Sequence, residues 1–295
     1  MKLSNNWTTY KILATGNGEK LEDWNGVILL RPDPQIIWPS KTDLSKYKNL
    51  SARYTRESTG GGRWDKKGKL PDEWNITYKD LTFSLKPMGF KHTGLFPEQA
   101  YNWDVMRKVV ADAKSDYDRP IKILNLFAYT GGATVALSKE GAKITHVDAA
   151  KGMIDRAKIN CGLSGITSDA VRWIIDDCKK FMLREHKRGQ TYDAIIMDPP
   201  SYGRAPDGSV FKLEDSLFEL VTIASKILSD KPLFFLLNSY TTGLGSAVMQ
   251  NVLQLALGEK GGSFESYELC LPTEEGIVLP CGNSAMWKSK KVKEK

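Results

Sequence analysis

The chain has 295 residues, 41% hydrophobic and 26% charged, which fits a globular protein with one large α/β domain and a smaller companion. No apolar run reaches the roughly 18 residues that span a bilayer, and the opening MKLSNNWTTYKILATGNG lacks the apolar core of an export signal, so a cytoplasmic location is expected. Four cysteines without CxxC pairing and three scattered histidines argue against a disulfide framework or a metal site, while the net charge of +7 is carried by residues 1–120 (+5) and the last eight residues (+4), with −2 between them.

A basic flank on a near-neutral centre fits a polyanionic partner, nucleic acid first, or simply a solubilising surface with a lysine tail. From the start of the chain, YKILATGNGEKLEDWNGVILLRPDP places Asn-Gly pairs at 17–18 and 25–26 between short apolar runs, the pattern of two tight hairpins. STGGGRWDKKGKLPDEW reads as a basic surface loop, and WNITYKDLTFSLKP returns to strand alternation. Segment 41–91 carries 12 Lys and Arg against 6 Asp and Glu. Its Tyr47, Tyr54, Trp64, Trp74 and Tyr78 either stack on RNA bases or fill the core of a small β-domain. Pro97 and Glu98 suit a helix start, and Trp103, Met106, Val110 and Ala113 share one helical face. The domain boundary is expected near residue 90, giving a small β-rich domain over 1–90, a candidate RNA-binding module, and a second domain over 91–295.

From residue 121 the pattern alternates. KILNLF, KITHVD, VRWIID, YDAIIMD and PLFFLLNS read as strands, with helices at about 132–140, 151–161, 177–188 and 213–229 between them. This implies a doubly wound, mostly parallel sheet. SFESYELCLP and SAMWKSKK read as an antiparallel closing hairpin, which brings the expected count to seven strands.

Doubly wound sheets bind ligands beyond the carboxyl ends of their strands. The first strand ends in LNLFAYTGGATVAL, where Ala128 to Gly132 turn into a helix. The turn has neither the G-x-G-x-x-G pattern nor a Gly-Lys-Ser/Thr, so a nucleoside without phosphates, S-adenosylmethionine (SAM), is the candidate ligand. Asp148 ends the next strand, either accepting both ribose hydroxyls or capping the following helix. One of Asp176 and Asp177, by preference Asp177, would accept the adenine amino group while the other caps a helix. The fourth strand ends in Asp198-Pro199-Pro200-Ser201-Tyr202. Its prolines remove donors from the turn, so that carbonyls and a carboxylate face the ligand. Tyr202 would stack on a base or act as a core lid.

These segments, with FKHTGLFPEQAYNW, LNSYTTGL and LPCGNSAMW, resemble the bacterial class I SAM-dependent methyltransferases related to the large-subunit ribosomal RNA cytosine-C5 enzymes, over essentially the whole chain. The resemblance implies a Rossmann-like methyltransferase that modifies an RNA base, most plainly in ribosomal RNA. It implies that Asn125, Phe127, Ala128, Tyr129, Thr130 and Gly131 surround the methionine part of SAM. Asp148 would take the ribose, Asp177 with Cys178 the adenine, and Asp198 with Pro199 the methyl end. Phe96 and Gln99 would fold over the cofactor, while Pro200, Ser201, Tyr202 and Ser239 would meet the substrate. Relatives attack the base with a cysteine after the fifth strand, where this chain has Ser239 and Thr241. Cys281 is then either a replacement nucleophile or a buried thiol. Transfer to a base amino or ring nitrogen is the alternative, and a SAM-binding RNA scaffold without catalysis is a further one.

Overall fold

The computed structural model describes residues 1–57, 61–89, 91–204 and 210–290. The chain divides into two compact units, one of residues 2–101 with 269–281, the other of residues 102–268 with Met1 and the chain from Gly282 on.

The first unit is built on strands β1 (Lys2–Leu3), β2 (Tyr10–Gly16), β3 (Glu19–Trp24), β4 (Val27–Pro32), β5 (Leu50–Arg56), β6 (Gly62–Lys66), β7 (Trp74–Tyr78) and β8 (Leu81–Leu85). Strands β2 to β6 form one sheet in sequence order, and β7 pairs with β8. Both expected hairpins are present. Asn17 and Gly18 (φ 55° and 77°) and Asn25 and Gly26 (φ 57° and 88°) supply the paired positive φ angles that a type I′ turn needs. Leu21, Ile28, Leu30, Leu44 and Leu50 close a small core. Beside it Arg31 is clamped on the fully buried carboxylate of Glu22 (Nε 2.5 Å, Nη2 2.7 Å), which also accepts from Tyr10 Oη at 2.8 Å.

The segment read as a basic loop is in part a strand. Residues 62–66 pair antiparallel with β5 because Asp65 accepts from Thr55 (2.6 Å) and Trp64 packs edge-on against Tyr54 at 5.3 Å. Positions 58–60 of that segment, Phe90 at the expected domain boundary and residues 291–295 of the lysine tail lie outside the described residues. Of the five aromatics offered for stacking, Tyr54 and Tyr78 are buried and belong to the core, whereas Tyr47 is exposed.

The second unit contains α1 (Ala100–Ala113), β9 (Lys122–Leu126), α2 (Gly132–Lys139), β10 (Lys143–Asp148), α3 (Lys151–Leu163), β11 (Val171–Ile175), α4 (Cys178–Lys187), β12 (Ala194–Met197), β13 (Tyr202–Arg204), β14 (Val210–Lys212), α5 (Leu213–Ser225), β15 (Phe234–Ser239), α6 (Ser246–Leu257), β16 (Ser263–Pro272) and β17 (Val278–Lys288), the first and last few running across the division. The large sheet has the order β16-β17-β15-β12-β9-β10-β11, with β1 beside β16. Strands β15, β12, β9, β10 and β11 are parallel, and β17 runs antiparallel to β15. This is the expected seven-stranded α/β sheet, with β1 added at its edge.

Its central strands β12 and β15 are buried along their whole length because helices cover the sheet. Leu124, Ile195 and Phe235 pack with Phe181 of α4, Leu217 and Val221 of α5 and Leu253 of α6. Helix α6, absent from the sequence reading, follows β15. No described helix is long and apolar enough to cross a membrane.

Candidate functional site

Strand order reverses between β9 and β12, which lie side by side at the centre of the parallel sheet, and the chemically notable turns leave the carboxyl ends of these strands and of β10 and β11. The turn after β9 is held residue by residue. Phe127 N–H donates to Cys178 Sγ (3.3 Å), Ala128 N–H to the Val147 carbonyl (3.1 Å), Tyr129 N–H to Asp148 Oδ2 (2.8 Å), and Gly131 N–H to the Ala128 carbonyl (3.0 Å). Phe127 (φ 55°) and Tyr129 (φ 51°) are non-glycine residues in the left-handed region. Such conformations cost about 1–3 kcal/mol each and persist where their surroundings over-determine them. Gly131 (φ 82°) then starts α2, and a Cβ there would lie 2.9 Å from Ala157 Cβ.

Asp148 is half-buried and joins two segments. Its Oδ2 accepts from Tyr129 N–H and its Oδ1 from Ala150 N–H, both at 2.8 Å. Burial raises its pKa against the lowering effect of those two bonds. An ionised carboxylate has about four lone-pair positions, so this one keeps acceptor capacity after binding the backbone. It fixes the turn that precedes α3 without capping that helix, whose N-cap is Ala150, and has acceptor capacity left for a diol.

At the end of β11 the helix cap is Asp177 itself, whose Oδ1 accepts from Lys180 N–H at 2.8 Å. Asp176 pairs with Arg184 instead. The capping role assigned by preference to Asp176 thus falls to Asp177. Cys178 is buried, its thiol drawn into the bond from Phe127, and burial pushes its pKa up. It supports the turn from beneath. Asn125 is also turned inward, donating from Nδ2 to Thr134 Oγ1 at 2.9 Å, and the Thr130 carbonyl accepts from Asn160 Nδ2 at 2.8 Å.

The Asp-Pro-Pro turn follows β12. Asp198 N–H reaches the Leu126 carbonyl at 3.4 Å, which sets the turn directly beside the glycine turn. Pro199 is buried and Pro200 exposed. Ser201 Oγ accepts from Thr241 Oγ1 (2.7 Å), and Ser239 Oγ accepts from Thr241 N–H (3.1 Å), so three hydroxyl residues tie this turn to the loop after β15. Tyr202 opens β13 with half of its surface exposed.

Phe96, Gln99 and Cys281 belong to the first unit. Phe96 precedes a 3-10 turn over Pro97–Gln99, its ring 5.2 Å from that of His92, and Gln99 is buried. Cys281 Sγ donates to the Leu279 carbonyl at 3.4 Å. Its pKa is raised by burial and then by Glu98, with Lys20 opposing, the reverse of the electropositive setting that activates a nucleophilic thiol. The polar residues beneath the turn, Thr134, His146 and Asn160, escaped the sequence reading. The available signal was the Thr-His pair inside the otherwise apolar strand KITHVD.

A family model described as S-adenosylmethionine-dependent methyltransferase matches residues 37–228. The chain belongs to the SAM-dependent methyltransferase family. A solved SAM-dependent methyltransferase from Agrobacterium tumefaciens is 34% identical, with a TM-score of 0.89, covering 98% of this chain and 93% of that one. Ribosomal RNA large subunit methyltransferase K of Neisseria meningitidis serogroup B is 26% identical over 75% of this chain and 63% of its own length. Ribosomal RNA large subunit methyltransferase I of Klebsiella pneumoniae is 29% identical over 46% of this chain and 32% of its own. The chain thus spans less than two thirds of these curated relatives. The site's chemistry fits the family's cofactor: it offers a spare carboxylate acceptor for a diol and a tight turn without phosphate-binding features.

Proposed function

We propose that this protein transfers a methyl group from SAM to an RNA base, in ribosomal RNA, and does so in the cytoplasm. The observation that carries the reading is the Asp-Pro-Pro-Ser-Tyr turn bonded to the end of β9, beside a turn suited to a nucleoside. Bound SAM supplies an electrophilic methyl on a sulfonium centre. The chain's own part is positioning. Asp148 accepts the ribose hydroxyls, and the proline turn offers acceptors without competing donors. Half-exposed Tyr202 stacks on a base that is unpaired or flipped out. The lysines and arginines of segment 41–91 engage the phosphate backbone. The names of the Neisseria and Klebsiella relatives support ribosomal RNA as the substrate.

A base nitrogen is the favoured acceptor atom. Carbon-5 methylation needs a thiolate, yet Cys161, Cys178 and Cys270 are buried, and Cys281 has a raised pKa. Asp198 and the Pro199 carbonyl would instead accept a hydrogen bond from a base amino group. The test is to incubate the protein with labelled SAM and ribosomal RNA, digest the RNA to nucleosides and identify the labelled species by mass spectrometry. An N-methylated nucleoside is expected. Label on protein alone would overturn the RNA reading, and 5-methylcytidine would overturn the nitrogen reading.

A further inference from the structure

His146 is fully buried in β10, two residues before Asp148, so both side chains lie on the same face of the strand. The glycine turn covers that face. The ring's Nδ1 lies 2.9 Å from Thr134 Oγ1, and Thr134 Oγ1 accepts from Asn125 Nδ2, also at 2.9 Å. A hydroxyl has a single proton. Thr134 Oγ1 can therefore accept from Asn125 and give its own proton to the imidazole, the arrangement in which Nδ1 is an acceptor. Burial pushes the His146 pKa down to about 3, so the ring is neutral, and in that arrangement its one proton sits on Nε2. Nε2 is buried with no hydrogen-bond partner; the ring sits against the turn, its Cε1 3.6 Å from where a Cβ on Gly131 would stand, and the Tyr129 backbone raises the ring's pKa against the burial.

We propose that His146 is a positioning residue for the cofactor site: as the Nε2–H tautomer it donates toward the Tyr129 carbonyl, while Asp148 holds the Tyr129 N–H. Tyr129 is then held through the peptide groups on either side of its Cα by two side chains of one strand. That grip explains how a tyrosine keeps a left-handed φ of 51° at the point where Asp148 must stay aligned for the ribose. Thr134 and Asn125 act further back, selecting the tautomer. Trp173, 4.9 Å from the ring, closes its other side.

The inference rests on reading the glycine turn as the SAM site, and the experiment separates the two. Nitrogen-15 histidine spectra of the full chain should show His146 as the Nε2–H tautomer from about pH 5 to about pH 8, with no titration across the usual histidine range. Calorimetry with S-adenosylhomocysteine should give about a fivefold to tenfold weaker affinity for His146→Phe, the loss of one hydrogen bond. His146→Gln, which keeps a donor, should restore most of it. Failure of the wild-type protein to bind S-adenosylhomocysteine overturns the site reading. Wild-type binding with unchanged affinity in His146→Phe overturns the role of His146. An Nδ1–H tautomer or a titrating ring overturns it too, even where His146→Phe does not fold.

Discussion

Asp148→Asn is the sharpest test of the site, because the carboxylate's structural partners are both donors. Tyr129 N–H and Ala150 N–H each take one oxygen at 2.8 Å. An asparagine has one oxygen and one NH2 group, so it can satisfy only one of them and must turn a donor toward the other. The turn loosens, and the two charge-assisted bonds to the ribose diol are lost as well. Hydrogen bonds to charged groups are worth about 1.5–3 kcal/mol each. Two of them, discounted for a half-exposed acid, give about 2–4 kcal/mol of cofactor affinity, a loss of about 30-fold to several hundred-fold. Titration calorimetry with S-adenosylhomocysteine reads this directly, with a melting curve on the same sample to separate binding from folding. The pH dependence has a fixed sign. Burial raises the Asp148 pKa in the free protein, and the diol needs the ionised form, so affinity should fall on acidification at a pH above the ordinary carboxylate value near 3.9. The raised pKa means that the folded state binds the proton more readily than the unfolded chain does, so protonating Asp148 does not itself destabilise the fold. Affinity unchanged in Asp148→Asn, or flat through the acid range, would refute the ribose assignment.

The other predictions concern the supports of the site. Gly131→Ala places a side chain at φ 82° and a Cβ 2.9 Å from Ala157 Cβ, so thermal denaturation should show a loss of about 1–3 kcal/mol together with weaker cofactor binding. Asp177→Ala removes the cap on Lys180 N–H and should cost about 1 kcal/mol in denaturant unfolding; a cost near zero would show that the helix start holds without it. Cys281→Ser should retain RNA methylation, because a thiol raised by burial is protonated at neutral pH, and abolished product with normal cofactor binding would restore Cys281 as nucleophile.

Much of the fold was legible because its signals are local. The Asn-Gly pairs fix their turns through their own φ angles, and strands β9, β10, β12 and β15 are apolar runs bounded by charges and prolines. Helix α6 was legible but unread. Met249, Leu253 and Leu257 recur every four residues on its buried face, yet the helix carries no charged residue, so the polar contrast that announces an amphipathic helix is missing. Strand β6 could not be found from its composition, since Gly-Arg-Trp-Asp-Lys becomes a strand only through the bonds that Thr55 and Tyr54 of its neighbour provide.

The site was legible as a set of residue types and not as a set of partnerships. Asp148, Asp177 and Asp198 stand at strand ends, where the alternating pattern placed them, but their bonds depend on which backbone N–H groups the turns bring near. That is why Asp177 became the cap while Asp176 turned to Arg184. The same reasoning explains Asn125 and Cys178, which lie beside the turn in sequence or in space and are used up inside it. A left-handed tyrosine at the centre of the turn has to be held by groups that the sequence scatters over β9, α2, β10 and α4. Residues that build the site from beneath are therefore buried polar groups in apolar segments, and in this chain His146 and Thr134 are where that signature is plainest.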